Sequence, residues 1–316
     1  MKGPNQQQRF LGGLYGSLVG DALGVPVEFA GRAARQADPV TGMRSGGTHG
    51  QPAGTWSDDG SLLLCSTESL VEAEFDTQDM GERFVRWYEG GLWTAHGTIF
   101  DIGIATRSAL KRIRSGTPAE QAGGKDEFSN GNGSLMRILP VVLVLLKEDE
   151  ETFRRRIHQA SAITHGHLRS QMACVFYGLM VRGLVKGLAP EQALAETRLA
   201  FTRLYQGNVE ITNFWNLLNA DLSPWDESQV SSSGYVMHTL TASLWCLLTT
   251  SSFAECVLKA VNLGDDTDTT GCVAGGLAGA YYGLEAIPQE WRAALPRQAD
   301  LASMFQRFNT LYNAEK

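Results

Sequence analysis

Four glycines fall four residues apart near the end of the chain, in "TDTTGCVAGGLAGAYYG": Gly271, Gly275, Gly279 and Gly283. On a helix this spacing leaves a stripe without side chains, along which a second backbone can approach closely. A buried central helix is therefore expected over 269–283. Membrane helix pairs use the same spacing, but this segment is short, and three aspartates, Asp265, Asp266 and Asp268, stand directly before it. The rest of the chain keeps the helical period. "RFLGGLYGSLVGDALG" places Phe10, Leu14 and Leu18 with Leu11, Tyr15 and Val19 on one face, which predicts an amphipathic first helix stopping at Gly24-Val25-Pro26.

Helical patterns recur at 60–74, 79–89, 102–114, 134–148, 151–162, 167–187, 190–205, 234–249, 252–262 and 298–313, and almost nothing alternates with period two. An all-α fold follows. The segments "GRAARQADPVTGMRSGGTHGQPAG" and "YQGNVEITNFWNLLNADLSPWDESQ" read as loops of the kind that cover a site. No repeat or Ser/Pro-rich linker divides the 316 residues, although the length alone allows two domains.

Composition excludes several functions. With 43% hydrophobic and 19% charged residues the chain can bury a large core, and a formal charge of −7 without a basic patch argues against nucleic acid. Five cysteines in apolar settings, with no CxxC pair, read as buried thiols of a reducing compartment. "MKGPNQQQRF" lacks a signal peptide's apolar core, and "ILPVVLVLL" is too short to span a bilayer. A cytoplasmic protein without membrane partners is the expectation.

Two clusters carry the chemistry. Ser57, Asp58 and Asp59 precede one apolar helix; Asp266, Asp268 and Thr269 open another some two hundred residues later. Helix capping explains one or two such residues at each start. Adjacent carboxylates repel, and burying several together is costly unless a cation neutralises them, so a metal is the economical explanation. Oxygen donors without His or Cys indicate Mg²⁺, Mn²⁺ or Ca²⁺, and these six residues suffice for two adjacent ions. An EF-hand loop starting at Asp266 fails, because Leu277 stands where a bidentate Glu is needed. Asp266-Thr-Asp268-Thr-Thr270 also fits the DxDxT pattern of haloacid-dehalogenase-like phosphatases, but that pattern belongs after a strand early in an α/β domain.

In this order and spacing, "GSLVGDALGVPVEF", "WSDDGS", "FDIGIATRSAL", "GNGSLMRILP", "ITHGH", "SSGYVMHTLTASLW" and "GDDTDTTGCVAGGLAGAYYG" resemble the ADP-ribosylglycohydrolase family, especially its bacterial dinitrogenase-reductase-activating branch. The resemblance implies one domain over 1–316, an orthogonal multi-helix bundle around a central two-ion Mg²⁺ or Mn²⁺ site. It implies hydrolysis of the bond joining ADP-ribose to a modified side chain, with ADP-ribosylated protein, arginine-linked above all, as partner. Carried over by motif, the metal set is Ser57, Asp58, Asp59, Asp266, Asp268 and Thr269. The catalytic set is Glu28, Asp58, Asp101 and Asp268, with Glu28 as a gate; read without the resemblance, Glu28 is a surface acid and Asp101 a helix cap. Gly131, Asn132, Gly133, Ser134, Met136 and His165 are expected to meet the ADP-ribose, the backbone N–H groups of 131–134 from a helix start. The chain departs from the family at Gly60 and Ser57, where Thr is usual, at Asp265 for Gly, and at His238 for Asp. Gly60 and His238 leave open a protein that masks an ADP-ribosyltransferase toxin with little catalysis; a third alternative is hydrolysis of another nucleoside or pyrophosphate-containing small molecule.

Overall fold

A computed structural model describes residues 3–312 of the chain. Among them the α-helices are α1 (Gln6–Gly24), α2 (Arg32–Ala37), α3 (Asp58–Ala73), α4 (Thr77–Gly90), α5 (Ile104–Arg114), α6 (Ala119–Ala122), α7 (Leu139–Val144), α8 (Glu150–Ala162), α9 (Leu168–Val185), α10 (Pro190–Leu204), α11 (Trp215–Asn219), α12 (Val236–Leu248), α13 (Phe253–Val261), α14 (Thr267–Tyr282), α15 (Gln289–Ala294) and α16 (Gln298–Tyr312). Extended pairing in this span is limited to three isolated bridges, such as Gly131 with Tyr235. The all-α expectation is met.

The largest departure from the periodicity is at 134–148, where only Leu139–Val144 is helical. Pro140 explains it: lacking an N–H and clashing with the preceding turn, it is tolerated only at a helix start, and residues 131–138 instead form turns. The helix predicted from 102 begins at Ile104, with Gly103 as its cap. The short helices α2, α6, α11 and α15 give too few turns for a period to show. Residue 313, the predicted end of the last helix, lies outside the described residues.

The first helix is not amphipathic. From Phe10 to Gly24 only Leu11 and Tyr15 escape full burial, because the face opposite the apolar one is glycine and meets α14. The two helices run antiparallel, backbone against backbone. A methyl placed on Gly20 would sit 1.9 Å from the carbonyl oxygen of Gly271; one on Gly16, 2.3 Å from that of Gly275; one on Gly12, 2.3 Å from that of Gly279. Length and composition would let Gln6–Val27 cross a membrane, yet 89% of its apolar window is buried inside the protein by this packing. At the far end of the pair, Arg9 donates to the carbonyls of Ala280 and Tyr281, serving the last turn of α14, and to Leu184.

Substituting Gly20→Ala is expected to cost about 3 kcal/mol or more, since no rotamer relieves a backbone clash. Gly90→Ala meets nothing within 4 Å and should be neutral or slightly stabilising. Thermal unfolding of the two variants checks the contrast.

Candidate active site

Three helix ends converge where the α1–α14 seam closes. At its last position Gly24 has no room for a side chain: a methyl there would lie 2.4 Å from the Asp268 backbone. Thr267 Oγ1 donates to the Gly24 carbonyl at 2.8 Å, locking the first turn of α14 onto the last turn of α1. One turn back along α1, Asp21 receives the backbone N–H groups of Ser57 (3.0 and 3.1 Å to its two oxygens) and Gly60 (2.8 Å), and so holds the start of α3 in place. Ser57 caps α3 by accepting the Asp59 N–H at 3.2 Å. This arrangement puts Asp58 and Asp59 beside Asp266 and Asp268, and Thr269 Oγ1 donates to Asp59 Oδ1 at 3.4 Å. Carboxylate oxygens of Glu28, Asp266 and Asp268 lie within 4.8 Å of one another.

Capping accounts for Ser57 and little else. Asp266 occupies the cap position of α14 without a capping bond from its side chain, which instead accepts from Asn132 Nδ2 at 2.8 Å. Asp268 Oδ1 accepts the Thr269 N–H at 2.9 Å. Asp59 Oδ2 and Asp268 Oδ2 are buried with no partner, a condition proteins avoid unless something else satisfies those atoms. Burial, chiefly, and then mutual repulsion push the carboxyls of Asp58, Asp59 and Asp268 well above their ordinary range. Burial likewise raises Asp21 to about 7 and, with repulsion from Asp101, Asp266 and Asp21, Glu28 to about 9. The donor set is all oxygen, and its orphaned atoms fit a hard divalent cation.

A cavity of about 660 Å³ opens beside this cluster, lined by Asp58, Asp59, Asp266 and Thr269. Glu28 and Asp101 line it too; Glu28 is buried rather than the surface acid its place after Pro26 suggests. Asp101 is not a cap of α5 but a half-buried loop residue with φ +44°. Gly131, Asn132, Gly133, Met136 and His165 lie in the wall as well. The expected helix N-terminus at 131–134 is absent: the Asn132 carbonyl takes the N–H groups of Leu135 and Met136 in a turn. Ser134 points away from the cavity, into contact with Ser161 Oγ (2.9 Å) and Cys174 Sγ (3.5 Å). Ser57 and Asp268 stand behind the lining.

Sequence reasoning missed Asp21 and His49. The signal for Asp21 was a lone acid inside an apolar helix. His49 lies in a segment read only as a loop, and its Nε2 contacts Glu28 Oε2. The rim carries Phe29, Ile104 and Phe128, exposed apolar side chains that no periodicity singles out.

A model of the ADP-ribosylglycohydrolase family matches residues 2–316. The chain belongs to the ADP-ribosylglycohydrolase family. It is 32% identical over 299 residues to "ADP-ribosylarginine hydrolase Tri1" of Serratia proteamaculans, covering 94% of this chain and 77% of that one. It is 31% identical over 304 residues to the "ADP-ribosyl-[dinitrogen reductase] glycohydrolase" of Rhodospirillum rubrum, covering 95% and 94%. A solved "ADP-ribosylglycohydrolase-related protein complex" superimposes with a TM-score of 0.82 at 33% identity, over 98% of this chain and 99% of that one.

Two predictions concern this glycohydrolase. Carboxyls with raised folded pKa values bind more protons folded than unfolded. Without divalent cations, stability should therefore fall as pH climbs from the unfolded values, 3.8 for Asp and 4.5 for Glu, through about 7 for Asp21 and 9 for Glu28. Melting curves in chelator should show that downward slope and Mg²⁺ or Mn²⁺ should flatten it; a flat profile in chelator would contradict the burial of charge. Separately, Asp265 has φ +60°, so Asp265→Gly should fold as well as wild type, whereas Asp265→Val should lose about 1–2 kcal/mol in denaturant unfolding.

Proposed function

We propose that the protein is a divalent-metal-dependent hydrolase that removes ADP-ribose from modified arginine side chains of proteins. The observation that carries the metal is the pair of buried, unpartnered oxygens, Asp59 Oδ2 and Asp268 Oδ2, contributed by two different helix starts to one cluster. Support for the arginine linkage comes from the name of the Serratia relative, and support for a protein substrate from that of the Rhodospirillum relative, which matches over nearly its whole length.

In this reading Asp58, Asp59, Asp266 and Asp268, with the hydroxyls of Ser57 and Thr269, hold two ions, Mg²⁺ or Mn²⁺. Bound there, such ions supply Lewis acidity, which activates a water and orients ribose hydroxyls. The chain's own residues position and move protons. Asn132 fixes the Asp266 carboxylate while also donating to Thr239 Oγ1 at 2.8 Å. Burial, chiefly, and repulsion from Asp101 and Asp266 favour the protonated form of Glu28 before cations bind, and Glu28, His49 and Asp101 offer polar atoms within 4.8 Å of one another. A proton from Glu28 or Asp101 passes to the departing guanidino nitrogen as the glycosidic C–N bond breaks. The carboxylate left behind faces the positive charge that develops on the ribose; water adds its oxygen to that carbon and gives up a proton to the carboxylate, which restores the acid.

The masking alternative rested on Gly60 and His238, and neither lines the cavity. Gly60 sits where a methyl would meet Trp56 and Leu18 at 2.8–2.9 Å. His238 Nδ1 is engaged by Ser233 Oγ at 2.8 Å.

With Mg²⁺ or Mn²⁺, the protein should release ADP-ribose from an arginine-linked substrate in preference to serine- or glutamate-linked ones. Asp58→Asn and Asp266→Asn should each lower kcat/KM on the order of 100-fold or more. No release from any linkage by folded, metal-loaded protein sinks the hydrolase reading, and protection from a toxin that survives Asp58→Asn would favour masking. Release from a free nucleotide in place of protein would point to the small-molecule alternative.

A further inference from the structure

Arg137 is a fully buried guanidinium with no carboxylate partner among the described residues. Its ring neighbour is Phe84, 4.7 Å from the guanidinium carbon, and its Nε and Nη1 bond to nothing. Such a charge is expensive to bury, and neither the fold nor the chemistry above uses it. What it does touch leads to the cavity. Arg137 Nη2 donates to the Ala160 carbonyl at 3.0 Å and to Thr164 Oγ1 at 2.8 Å. Thr164 Oγ1 in turn is 2.9 Å from Nδ1 of His165, the residue in the cavity wall.

Arginine can only donate, so the buried Thr164 oxygen accepts from Arg137. Its remaining hydrogen-bond partner among the described residues is His165 Nδ1, so the hydroxyl can place its own hydrogen only by donating it there. A nitrogen that accepts carries no proton, which leaves the proton of a neutral imidazole on Nε2. Burial, and secondarily the Arg137 charge, lowers His165 to about 3 and disfavours the imidazolium. Nε2 itself has no hydrogen-bond partner among the described residues. It lies against the cavity wall where a methyl on Gly131 would come within 3.3 Å of it, and one on Gly133 within 2.8 Å of the adjacent Cε1. Side chains at either position would press on that edge of the ring; glycine leaves it open.

We propose that Arg137 and Thr164 are positioning residues that fix His165 as its Nε2–H tautomer, so that the cavity presents a permanent hydrogen-bond donor to an acceptor oxygen of the ADP-ribose. This rests on the reading of the cavity as an ADP-ribose site. It extends that reading by giving the histidine one protonation state and one role, binding rather than proton transfer.

The test uses full-length protein labelled with ¹⁵N-histidine, His165 being assigned by comparison with His165→Gln. Two-bond ¹H–¹⁵N correlation should show Nε2 as the protonated nitrogen and Nδ1 as a hydrogen-bonded acceptor. Thr164→Val removes the hydroxyl; it should abolish the hydrogen-bonded signature at Nδ1, admit the Nδ1–H form, and weaken ADP-ribose binding about tenfold. Thr164→Ser should restore both, and Arg137→Met, if it folds, should behave like Thr164→Val. A proton on Nδ1 in the wild type, or a Thr164→Val protein with wild-type spectrum and affinity, overturns the proposal. The expected wild-type tautomer without any ADP-ribose binding would support the relay and overturn the reading of the cavity instead.

Discussion

The contact on which the rest of the structure depends is the side-chain-free seam between α1 and α14. Where two helices touch through glycine, their axes come closer than ordinary packing allows, and their termini are placed accordingly. Because the pair is antiparallel, the end of α1 meets the beginning of α14, and the acids on either side of that junction, Asp21 and Glu28 on one, Asp266 and Asp268 on the other, have nowhere else to go. Asp21 then reaches across to the backbone of Ser57 and Gly60 and brings the start of α3 to the same point. The cluster is thus a consequence of backbone packing that begins between Gly12 and Gly279 and continues up to Gly24 against the backbone of Asp268 itself.

Convergence of so many acids opposes folding, and the raised pKa values of Asp21, Glu28, Asp58, Asp59 and Asp268 express that cost. The individual groups are nevertheless unlike. Asp21 is held by three backbone N–H contacts and works as an architectural anchor between α1 and α3. Asp59 and Asp268 each keep one oxygen free of any donor. Helix N-termini soften the repulsion without removing it, so the strain concentrates on atoms that stay free for a ligand. Local instability of this kind, retained where the surrounding packing can carry it, is characteristic of functional sites.

Much of this was legible in the sequence, and the illegible parts have physical reasons. The glycine spacing in α14 announced close approach, but its partner in α1, Gly12, Gly16, Gly20 and Gly24, was hidden behind an apolar pattern that already explained a helix. Charge crowding at Ser57–Asp59 and Asp266–Thr269 was visible because like charges are costly next to one another whatever the fold. Asp21 was not, because a single acid among apolar neighbours carries no pattern; its meaning lies in two N–H groups from a segment more than thirty residues away. At 131–138 a helical period misled, since Pro140 starts a helix that the period would have begun earlier. Ser134, placed by that reading at a helix start facing the ligand, is turned into the core by the turn that replaces it.

The departures from the family pattern take a different meaning once the backbone is known. Asp265 adds a charge where the family's usual residue is Gly, yet it is exposed and left-handed, with φ +60°. It pairs with the bend at the end of α1: the Phe29 N–H donates to the Asp265 carbonyl at 2.7 Å, and the Asp265 N–H to the Ala30 carbonyl at 3.0 Å. Phe29 is left-handed as well, with φ +63°. A position that must be left-handed is served by glycine or, at some cost, by a short polar residue such as aspartate. The residue is therefore explained by backbone geometry, and its side chain is exposed. Gly60 yields to the same kind of reasoning, since the side chains of Trp56 and Leu18 occupy the space a Cβ would need while its N–H still serves Asp21. Gly60 thus weighs on how the start of α3 packs, whereas Asp265 adds its carboxylate to the cavity lining beside Asp266.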